Sequence, residues 1–224
     1  VHRRPEGHRG QHRPVMNRAV FLDRDGTLIE NIPYLSDPSS VRLLSGASEA
    51  LIKLRSMGFL LVVVTNQSGV ARGCFSESVL PEIHGRIGEL LRREGAGVDA
   101  FYYCPHGPVE EGFPGCLCRK PAPGMGIRAS EELGIDLRSS WMIGDSPADV
   151  RFAFNCGCPF VLVRTGWGKE TEKEISPLIE IMKNEKSGTM FFIADDLRAA
   201  AGIIEQAEAG FSTERGGFSF IDPS

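Results

Sequence analysis

Two aspartates, Asp23 and Asp25, stand directly after a short apolar run at residues 20–22. Side chains at positions i and i+2 of an extended chain point the same way, so both carboxylates can reach one group. Carboxylates that close need a cation or a shared proton, and a hard divalent ion such as Mg²⁺ suits oxygen ligands. One carboxylate could attack phosphorus while the other passes a proton to the leaving oxygen. A surface turn or a calcium loop is the alternative, but Leu28 and Ile29 do not supply the further oxygens that a calcium loop needs.

A threonine and a lysine follow other predicted strands, and both could hold phosphate oxygens. Thr65 opens the segment 65–69 after a valine-rich run, where its hydroxyl and the following backbone amides could bind phosphate. By itself this is weak evidence, because hydroxyls commonly cap turns. Lys120 could neutralise the charge of a phosphoryl group, and the planar fork of Arg119 suits phosphate or sugar oxygens. A solvated basic pair is the alternative interpretation.

Two further aspartates, Asp145 and Asp149, follow the predicted strand 140–143. Asp145 could complete the ligand set of a metal ion that Asp23 also binds. Asp149 lies four residues later, near a helix start, where it could orient Lys120 or a metal-bound water. An acid in the first turn of a helix also complements the helix dipole, and this interpretation of Asp149 is equally well supported.

Three cysteines and a histidine flank a loop that is rich in glycine and proline. Cys104 and His106 stand on one side of it, and Cys116 and Cys118 stand on the other. A closed Cys₃His set with no open position is typical of structural zinc. The loop leads directly into Arg119, so we expect the zinc to order the basic pair; a chance cluster of buried cysteines is the alternative. We assign no role to the remaining cysteines, Cys74, Cys156 and Cys158.

The elements that position these residues alternate between strand and helix from residue 18 onward, which indicates a parallel sheet with helices on both faces. The predicted strands are 19–22, 60–64, 101–103, 140–143, 160–163 and 191–193. The predicted helices are 47–57, 76–93, 124–133, 148–155 and 197–207. Pro81 must lie in the first turn of the second helix or shift its start. Ligands bind beyond the carboxyl ends of such strands, so the polar residues described above should converge on one site.

Composition and charge exclude several classes of protein. The 224 residues are 42% hydrophobic and 24% charged, which is ordinary for a globular protein. The net charge of −4 provides no general basic surface for nucleic acid. No apolar run approaches the roughly 18–20 residues that span a membrane. We therefore expect a protein that binds neither nucleic acid nor membrane.

The two ends of the sequence are expected to lie outside the folded domain. The N-terminal residues carry Arg and His but lack the apolar core of a secretory signal, so a cytoplasmic location with reduced thiols is expected. We predict a disordered N-terminal tail at 1–16, one α/β domain at 17–208, and a flexible C-terminal tail at 209–224. The sequence favours a monomer.

The ordered set of an Asp-x-Asp-x-Thr loop, a Thr, a Lys and a terminal acidic motif resembles the haloacid dehalogenase (HAD) superfamily. The resemblance implies that Asp23 is a nucleophile and that Asp25 is a general acid and then a general base. It implies that Thr65 and Lys120 hold the phosphoryl group. It also implies an Mg²⁺ ion bound by Asp23, the main-chain carbonyl of Asp25, and Asp145. The second aspartate of the loop is typical of a phosphatase rather than a dehalogenase, because an acid helps to expel an alkoxide.

Members of that superfamily with mobile caps insert a whole domain after the first or second motif, and the spacing here leaves no room for one. Neither the segment 25–65 nor the segment 65–120 holds more than loops and single strand or helix units. We therefore expect a capless, HAD-like, three-layer Rossmann-like fold with a zinc-pinned loop, in which loops select the substrate. The resemblance implies substrate contacts by six loop residues, Arg24, Asn66, Gln67, Ser68, Gly69 and Arg119.

The Cys-x-His and Cys-x-Cys pairs that lead into residues 119–121 narrow the resemblance to a capless group. Its members act on heptose 1,7-bisphosphate or on histidinol phosphate. The segments that resemble the heptose type closely are 65–73, 102–106, 118–125 and 162–166. The expected activity is therefore hydrolysis of the 7-phosphate of D-glycero-D-manno-heptose 1,7-bisphosphate, a small phosphorylated sugar. Histidinol phosphate is the alternative substrate.

Functions of other classes also stay open from the sequence. A phosphotransferase or mutase would use the same nucleophile and pass the phosphoryl group to a sugar. Such enzymes usually carry a cap that excludes water, for which this chain lacks room. A non-catalytic zinc module would not need the full set of polar residues at the strand ends.

Overall fold

A computed structural model describes residues 16–184 and 190–213 of the chain. The strands within these residues are β1 (Arg18–Leu22), β2 (Phe59–Asn66), β3 (Ala100–Cys104), β4 (Trp141–Gly144), β5 (Phe160–Val163) and β6 (Phe191–Ala194). The helices are α1 (Ala47–Ser56), α2 (Val79–Arg93), α3 (Gly124–Leu133), α4 (Pro147–Cys156), α5 (Gly168–Asn184) and α6 (Leu197–Thr213). The predicted alternation of strand and helix is therefore confirmed.

The strands form one sheet in the order β3-β2-β1-β4-β5-β6, and every neighbouring pair is parallel. The chain moves outward from β1 to β3 and then returns to the other side of β1 with β4. The connections after β1 and β4 therefore leave the sheet in opposite directions and open a crevice at their carboxyl ends. Asp23 follows β1 and Asp145 follows β4, so the topology brings both to this crevice.

Each face of the sheet carries its own apolar core, because successive side chains of a strand point to opposite faces. In β1, Val20 and Leu22 pack with buried residues of α1, α2 and α6. Ala19 and Phe21 pack on the other face with buried residues of α3 and α4. Strands that are buried on both faces read as continuous apolar runs, which is why their positions were predictable. The fold is thus the expected three-layer α/β arrangement.

The segments that could have held a cap are short. Between Asp25 and Thr65 the chain forms a loop, a short 3₁₀ helix (Pro38–Ser40) and α1. Between Thr65 and Lys120 it forms α2, β3 and a loop with a second 3₁₀ helix (Val109–Glu111). These described segments contain no inserted domain, which confirms the capless prediction. No helix in the described part of the chain is long and apolar enough to cross a membrane.

Two helices differ from the sequence prediction. The sequence analysis predicted no helix at α5, which contains Pro177 and carries a mostly polar sequence. The helix α6 continues to Thr213, five residues into the predicted C-terminal tail, because the run of Ala and Glu before Gly210 favours helix. The start of α2 at Val79 does place Pro81 in the first turn, as expected. Of the tails predicted at 1–16 and 209–224, residues 1–15 and 214–224 lie outside the described residues.

Candidate active site

The carboxylate of Asp23 and the ammonium of Lys120 form a buried ion pair at the carboxyl end of β1. Asp23 extends the strand, because its backbone N–H donates to the carbonyl of Ile143 in β4 at 2.9 Å. Lys120 Nζ donates to Asp23 Oδ1 at 2.5 Å and to the Val64 carbonyl at 2.7 Å. The Lys120 side chain is only 2% exposed. The lysine therefore joins the ends of β1 and β2 at the centre of the crevice.

Asp149 is a second partner of Lys120 and also caps the start of α4. Its Oδ1 lies 2.6 Å from Lys120 Nζ, and its side chain is fully buried. Its Oδ2 accepts hydrogen bonds from the backbone N–H of Ser146 at 3.0 Å and from the Ser146 hydroxyl at 2.6 Å. Both interpretations of Asp149 are thus compatible with its contacts. The Ser-x-x-Asp spacing was the sequence signal for Ser146, which the sequence analysis missed.

Asp145 is held by residues from the loop and helix that follow β5. Its Oδ2 accepts from the backbone N–H of Trp167 at 2.8 Å, and its carbonyl accepts from the Thr171 hydroxyl at 2.7 Å. Asp145 is 1% exposed. The sequence analysis singled out neither Trp167 nor Thr171. The one available signal was their position beyond the carboxyl end of a predicted strand.

Two glycines allow the loops after β1 and β5 to approach Asp145 closely. Gly26 and Gly166 have φ values of +86° and +55°, in the left-handed region that favours glycine. A Cβ on Gly26 would lie 2.2 Å from Asp145 Oδ2, and one on Gly166 would lie 2.0 Å from the same atom. Any larger residue at either position would therefore displace the carboxylate or distort the loop.

Burial dominates the protonation equilibria of the site. It raises the pKa of Asp23 to about 7; Lys120 opposes this shift, and the charges of Asp149 and Asp25 add to it. It raises the pKa of Asp145 to about 8, and the neighbouring charge of Asp23 raises it further. Burial alone would lower the pKa of Lys120, but the carboxylates of Asp149 and Asp23 outweigh it, so this pKa lies above its usual value. The ammonium of Lys120 is thus the positive charge that Asp23 and Asp149 share.

The excess of buried negative charge fits a divalent cation. Ligand oxygens of Asp23, Asp145 and Asp149 all lie within 4.8 Å of one another. Asp149 is already used by Lys120 and Ser146, which leaves Asp23 and Asp145 as the carboxylates best able to hold an ion. Oxygen ligands of this kind suit Mg²⁺. The Asp25 side chain is not part of this cluster, and its predicted contribution through the main-chain carbonyl stays a prediction.

Thr65 and Asn66 end β2 beside the ion pair. Thr65 is 1% exposed, and its hydroxyl accepts a hydrogen bond from Gln67 Nε2 at 2.8 Å. The Asn66 side chain binds the backbone of Lys120 twice, since Oδ1 accepts from its N–H at 2.9 Å and Nδ2 donates to its carbonyl at 3.0 Å. Asn66 therefore holds the lysine in place. Its predicted substrate contact stays a prediction.

Arg24 and Gln67 are buried beside Asp25. Arg24 is 1% exposed and binds both carboxylate oxygens of Asp25 at 3.0 Å. Gln67 is 6% exposed and donates to Asp25 Oδ2 at 2.9 Å. The resemblance implied substrate contacts for both residues. In the structure both residues have protein partners, although Arg24 Nη1 has none among the described residues, and their substrate contacts stay predictions.

The other predicted substrate residues lie in the loops above the site. Arg119 is partly exposed, and its guanidinium donates to the carbonyl of His106 at 3.0 Å. The Ser68 hydroxyl accepts from Arg72 Nε at 3.4 Å. Arg72 also pairs with Glu111 in the cysteine loop. These contacts join the loop after β2 to the loop after β3 on one side of the crevice.

The predicted metal-binding cysteines and histidine converge. Sγ–Sγ distances among Cys104, Cys116 and Cys118 are 3.1 and 3.6 Å, and His106 Nδ1 lies 3.4 Å from two of the sulfurs. A tetrahedral zinc with Zn–S bonds of about 2.3 Å requires donor separations of about 3.8 Å. All six cysteines lie in the described residues and are free thiols. The cluster therefore fits a closed tetrahedral metal ion with a small expansion.

Known proteins share both the sequence pattern and the fold. A family model described as haloacid dehalogenase-like hydrolase matches residues 34–157, and another described as HAD-hydrolase-like matches residues 117–200. The chain is 38% identical over 193 residues to the D-glycero-beta-D-manno-heptose-1,7-bisphosphate 7-phosphatase of Pseudomonas aeruginosa, covering 85% of this chain and 100% of the relative. It is 44% identical over 161 residues to the same-named enzyme of Photorhabdus laumondii, covering 70% and 85%.

A solved structure agrees with these relatives. The crystal structure of D,D-heptose 1,7-bisphosphate phosphatase from B. bronchiseptica, complexed with magnesium and phosphate, is 34% identical and superposes with a TM-score of 0.72. The match covers 85% of this chain and 99% of that one. Together with the buried carboxylate–lysine site, these relationships define a phosphatase. The chain belongs to the haloacid dehalogenase-like hydrolase family.

Proposed function

We propose that this chain is a magnesium-dependent phosphomonoesterase that removes the 7-phosphate of D-glycero-D-manno-heptose 1,7-bisphosphate through a phosphoryl intermediate on Asp23. The observation that carries the proposal is the buried contact between Lys120 and Asp23 at the switch point of the sheet. The substrate follows from the relatives of known name at 38% and 44% identity. These names do not favour the alternative substrate, histidinol phosphate.

The proposed reaction has two steps. An oxygen of Asp23 attacks phosphorus and the bond to the sugar oxygen breaks, while Asp25 gives that oxygen a proton. Asp25 then takes a proton from a water molecule that attacks the aspartyl phosphate, which releases inorganic phosphate and restores Asp23. Lys120 holds one oxygen of Asp23 in the free protein and so fixes the orientation of the attacking group.

Charge neutralisation falls to Lys120 and to a bound ion. We propose that Asp23 and Asp145 hold Mg²⁺ together with the main-chain carbonyl of Asp25. When bound, the ion supplies positive charge against the carboxylates and the phosphate. Thr65 and Lys120 are proposed to bind the phosphoryl oxygens on the side opposite the ion. The Asn66 side chain holds Lys120 in place through two hydrogen bonds to the Lys120 backbone.

We also propose that Cys104, His106, Cys116 and Cys118 hold a structural zinc ion. All four positions of a tetrahedron are then filled, so this ion takes no part in the chemistry. Its role is to fix the loop that carries Arg119, whose guanidinium binds the His106 carbonyl. Arg119, with Ser68 and Gly69 in the neighbouring loop after β2, is proposed to contact the sugar and its second phosphate.

Phosphate release by the purified protein tests the proposal. With Mg²⁺ present, heptose 1,7-bisphosphate should be hydrolysed much faster than histidinol phosphate, and Asp23→Asn should abolish the activity. Asp37→Asn, which changes an exposed cap of a 3₁₀ helix, is a matched control that should stay active. Faster hydrolysis of histidinol phosphate would overturn the substrate, and full activity of Asp23→Asn would overturn the mechanism.

A further inference from the structure

We propose that Arg24 and Gln67 are positioning residues that fix the orientation of the Asp25 carboxylate, rather than residues that contact the substrate. The inference rests on the proposed function, since it concerns the group that protonates the leaving oxygen. It goes beyond that function because it assigns these two residues a role different from the one implied by family resemblance. The grounds are their burial and the hydrogen bonds that Arg24 Nε, Arg24 Nη2 and the Gln67 amide make to protein atoms, although Arg24 Nη1 has no partner among the described residues.

Arg24 grips Asp25 with two parallel hydrogen bonds. Its Nε donates to Oδ2 at 3.0 Å and its Nη2 donates to Oδ1 at 3.0 Å, which is the planar fork that fixes a carboxylate in direction as well as distance. Only 1% of the Arg24 side chain is exposed, whereas 21% of the Asp25 side chain is exposed. The Asp25 carboxylate is therefore partly exposed toward the crevice, whereas the Arg24 guanidinium that holds it is buried.

Gln67 closes the arrangement from the other side. Its Nε2 donates to Asp25 Oδ2 at 2.9 Å and to the Thr65 hydroxyl at 2.8 Å, and its Oε1 accepts from Arg24 Nη2 at 2.9 Å. Both amide N–H groups are thus occupied, and none is left for a phosphate oxygen. The amide cannot be reversed without loss, because a guanidinium offers only donors and Asp25 as a carboxylate offers only acceptors.

The network also links the proposed acid to a proposed phosphate ligand. Because the Thr65 hydroxyl accepts from Gln67, its own hydrogen stays available to donate. Among the described residues the Thr65 hydroxyl donates to Asp25 Oδ2 over 3.5 Å, which is long for a hydroxyl donor. Gln67 therefore contacts both the proposed acid and Thr65, and it leaves the Thr65 hydrogen with only this long contact in the protein.

A positioning role and a substrate contact predict different kinetics. Loss of a substrate contact raises KM or lowers kcat/KM for every substrate that uses that contact. Misplacement of the acid lowers kcat in proportion to how much the leaving group needs a proton. The sugar oxygen needs that proton in the first step, whereas p-nitrophenolate leaves readily without it. The second step, in which Asp25 acts as a base, is the same for both substrates. The ratio of the two kcat/KM values, which reports only the steps up to departure of the leaving group, therefore separates the interpretations.

The experiment compares Gln67→Met and Gln67→Glu with wild type and with Asp25→Asn, in the Mg²⁺-loaded protein. Gln67→Met removes all three hydrogen bonds at similar size, and Gln67→Glu keeps the shape but sets a carboxylate against Asp25. For heptose 1,7-bisphosphate we expect kcat to fall by about 10- to 100-fold, within the range of general acid catalysis, with KM changed less than about 3-fold. For p-nitrophenyl phosphate we expect kcat/KM to fall less than about 3-fold. Gln206→Met, an exposed change on α6, is the control.

Double variants provide the second arm. Gln67→Met added to Asp25→Asn should cost little further activity, because the group that it positions is already lost. Equal losses of kcat/KM on both substrates, a change in KM alone, or additive losses in the double variant would overturn the inference. If a Gln67 variant does not fold, Arg24→Lys serves the same comparison. Inactive wild-type protein, or an active Asp23→Asn variant, would instead refute the proposed function.

Discussion

Replacement of Lys120 by methionine removes the one ammonium at the centre of the site and keeps the length of the side chain. Three protein oxygens lose a partner, since Lys120 Nζ contacts Asp23 Oδ1 at 2.5 Å, Asp149 Oδ1 at 2.6 Å and the Val64 carbonyl at 2.7 Å. The side chains of Asp23 and Asp149 are 11% and 0% exposed, so water cannot replace the lost cation. Two carboxylates then face each other without compensation.

The cost follows from this burial. Removal of one partner from a buried ion pair destabilises a protein by about 3–5 kcal/mol. The loss should be larger at pH 8 than at pH 5, because burial raises the pKa of Asp23 to about 7, so that Asp23 can take up a proton at low pH and lose its repulsion with Asp149. Loss of a preorganised charge beside the reacting group should also reduce kcat by about 10²–10³-fold. Both effects come from one change.

Urea unfolding at pH 5 and pH 8, with phosphate release measured in parallel, tests this prediction. Lys53→Met is the matched control, because Lys53 pairs with Glu205 at 2.6 Å but both side chains are largely exposed, at 38% and 53%. We expect this surface pair to contribute less than about 1 kcal/mol. The reasoning fails if Lys120→Met unfolds within about 1 kcal/mol of wild type at pH 8, or if it keeps wild-type kcat.

Three further predictions concern pH and metals. Burial raises the pKa of Asp23 to about 7 and that of Asp145 to about 8, so the metal-free native state binds more protons than the unfolded chain above about pH 4. The stability of the metal-free protein should therefore fall as pH rises from about 4 to about 8. For the same reason, Mg²⁺ should raise the melting temperature more at pH 8 than at pH 5. An equal Mg²⁺ effect at both pH values, or an undiminished one in Asp145→Asn, would contradict this. Burial, and then the charge of Arg24, lowers the pKa of His84 to about 3, so stability should be lost as pH falls from 6.5 toward 3. His84→Phe, which keeps a ring against Phe101, should lessen that loss in acid unfolding curves, and an unchanged curve would count against it. Zinc chelation, or Cys118→Ser, should raise KM for the bisphosphate more than for p-nitrophenyl phosphate, because the loop that carries Arg119 is released; equal changes in the two KM values would refute the role of the loop.

The sequence predicted the sheet and the location of the site well, for physical reasons. Central parallel strands are buried on both faces, so runs such as residues 60–64 are apolar throughout and easily recognised. Ligands of such sheets bind at the carboxyl ends, so Asp23, Thr65 and Asp145 could be assigned to one crevice. The convergence of Cys104 with Cys118 followed in the same way from the spacing of two short metal-binding pairs.

The sequence did not predict which side chains of the site contact one another. Gln67 was predicted to contact substrate, and its contacts with Asp25 and Arg24 depend on how the ends of β1 and β2 stand side by side. The helix α5 escaped prediction because its sequence is mostly polar and because it includes Pro177, a residue that argues against the interior of a helix. Trp167 contacts Asp145 through its backbone N–H. Since every residue except proline has this group, the residue type does not predict the contact.

Identification of the residue that carries the phosphoryl group is the decisive measurement. Wild-type protein is acid-quenched during steady turnover of heptose 1,7-bisphosphate with Mg²⁺, digested and examined by mass spectrometry, with Asp23→Asn treated in parallel. We predict a phosphorylated peptide that contains Asp23 in the wild type, and neither phosphopeptide nor turnover in the variant. A phosphoryl group on another residue, or continued turnover by Asp23→Asn, would contradict the proposed mechanism.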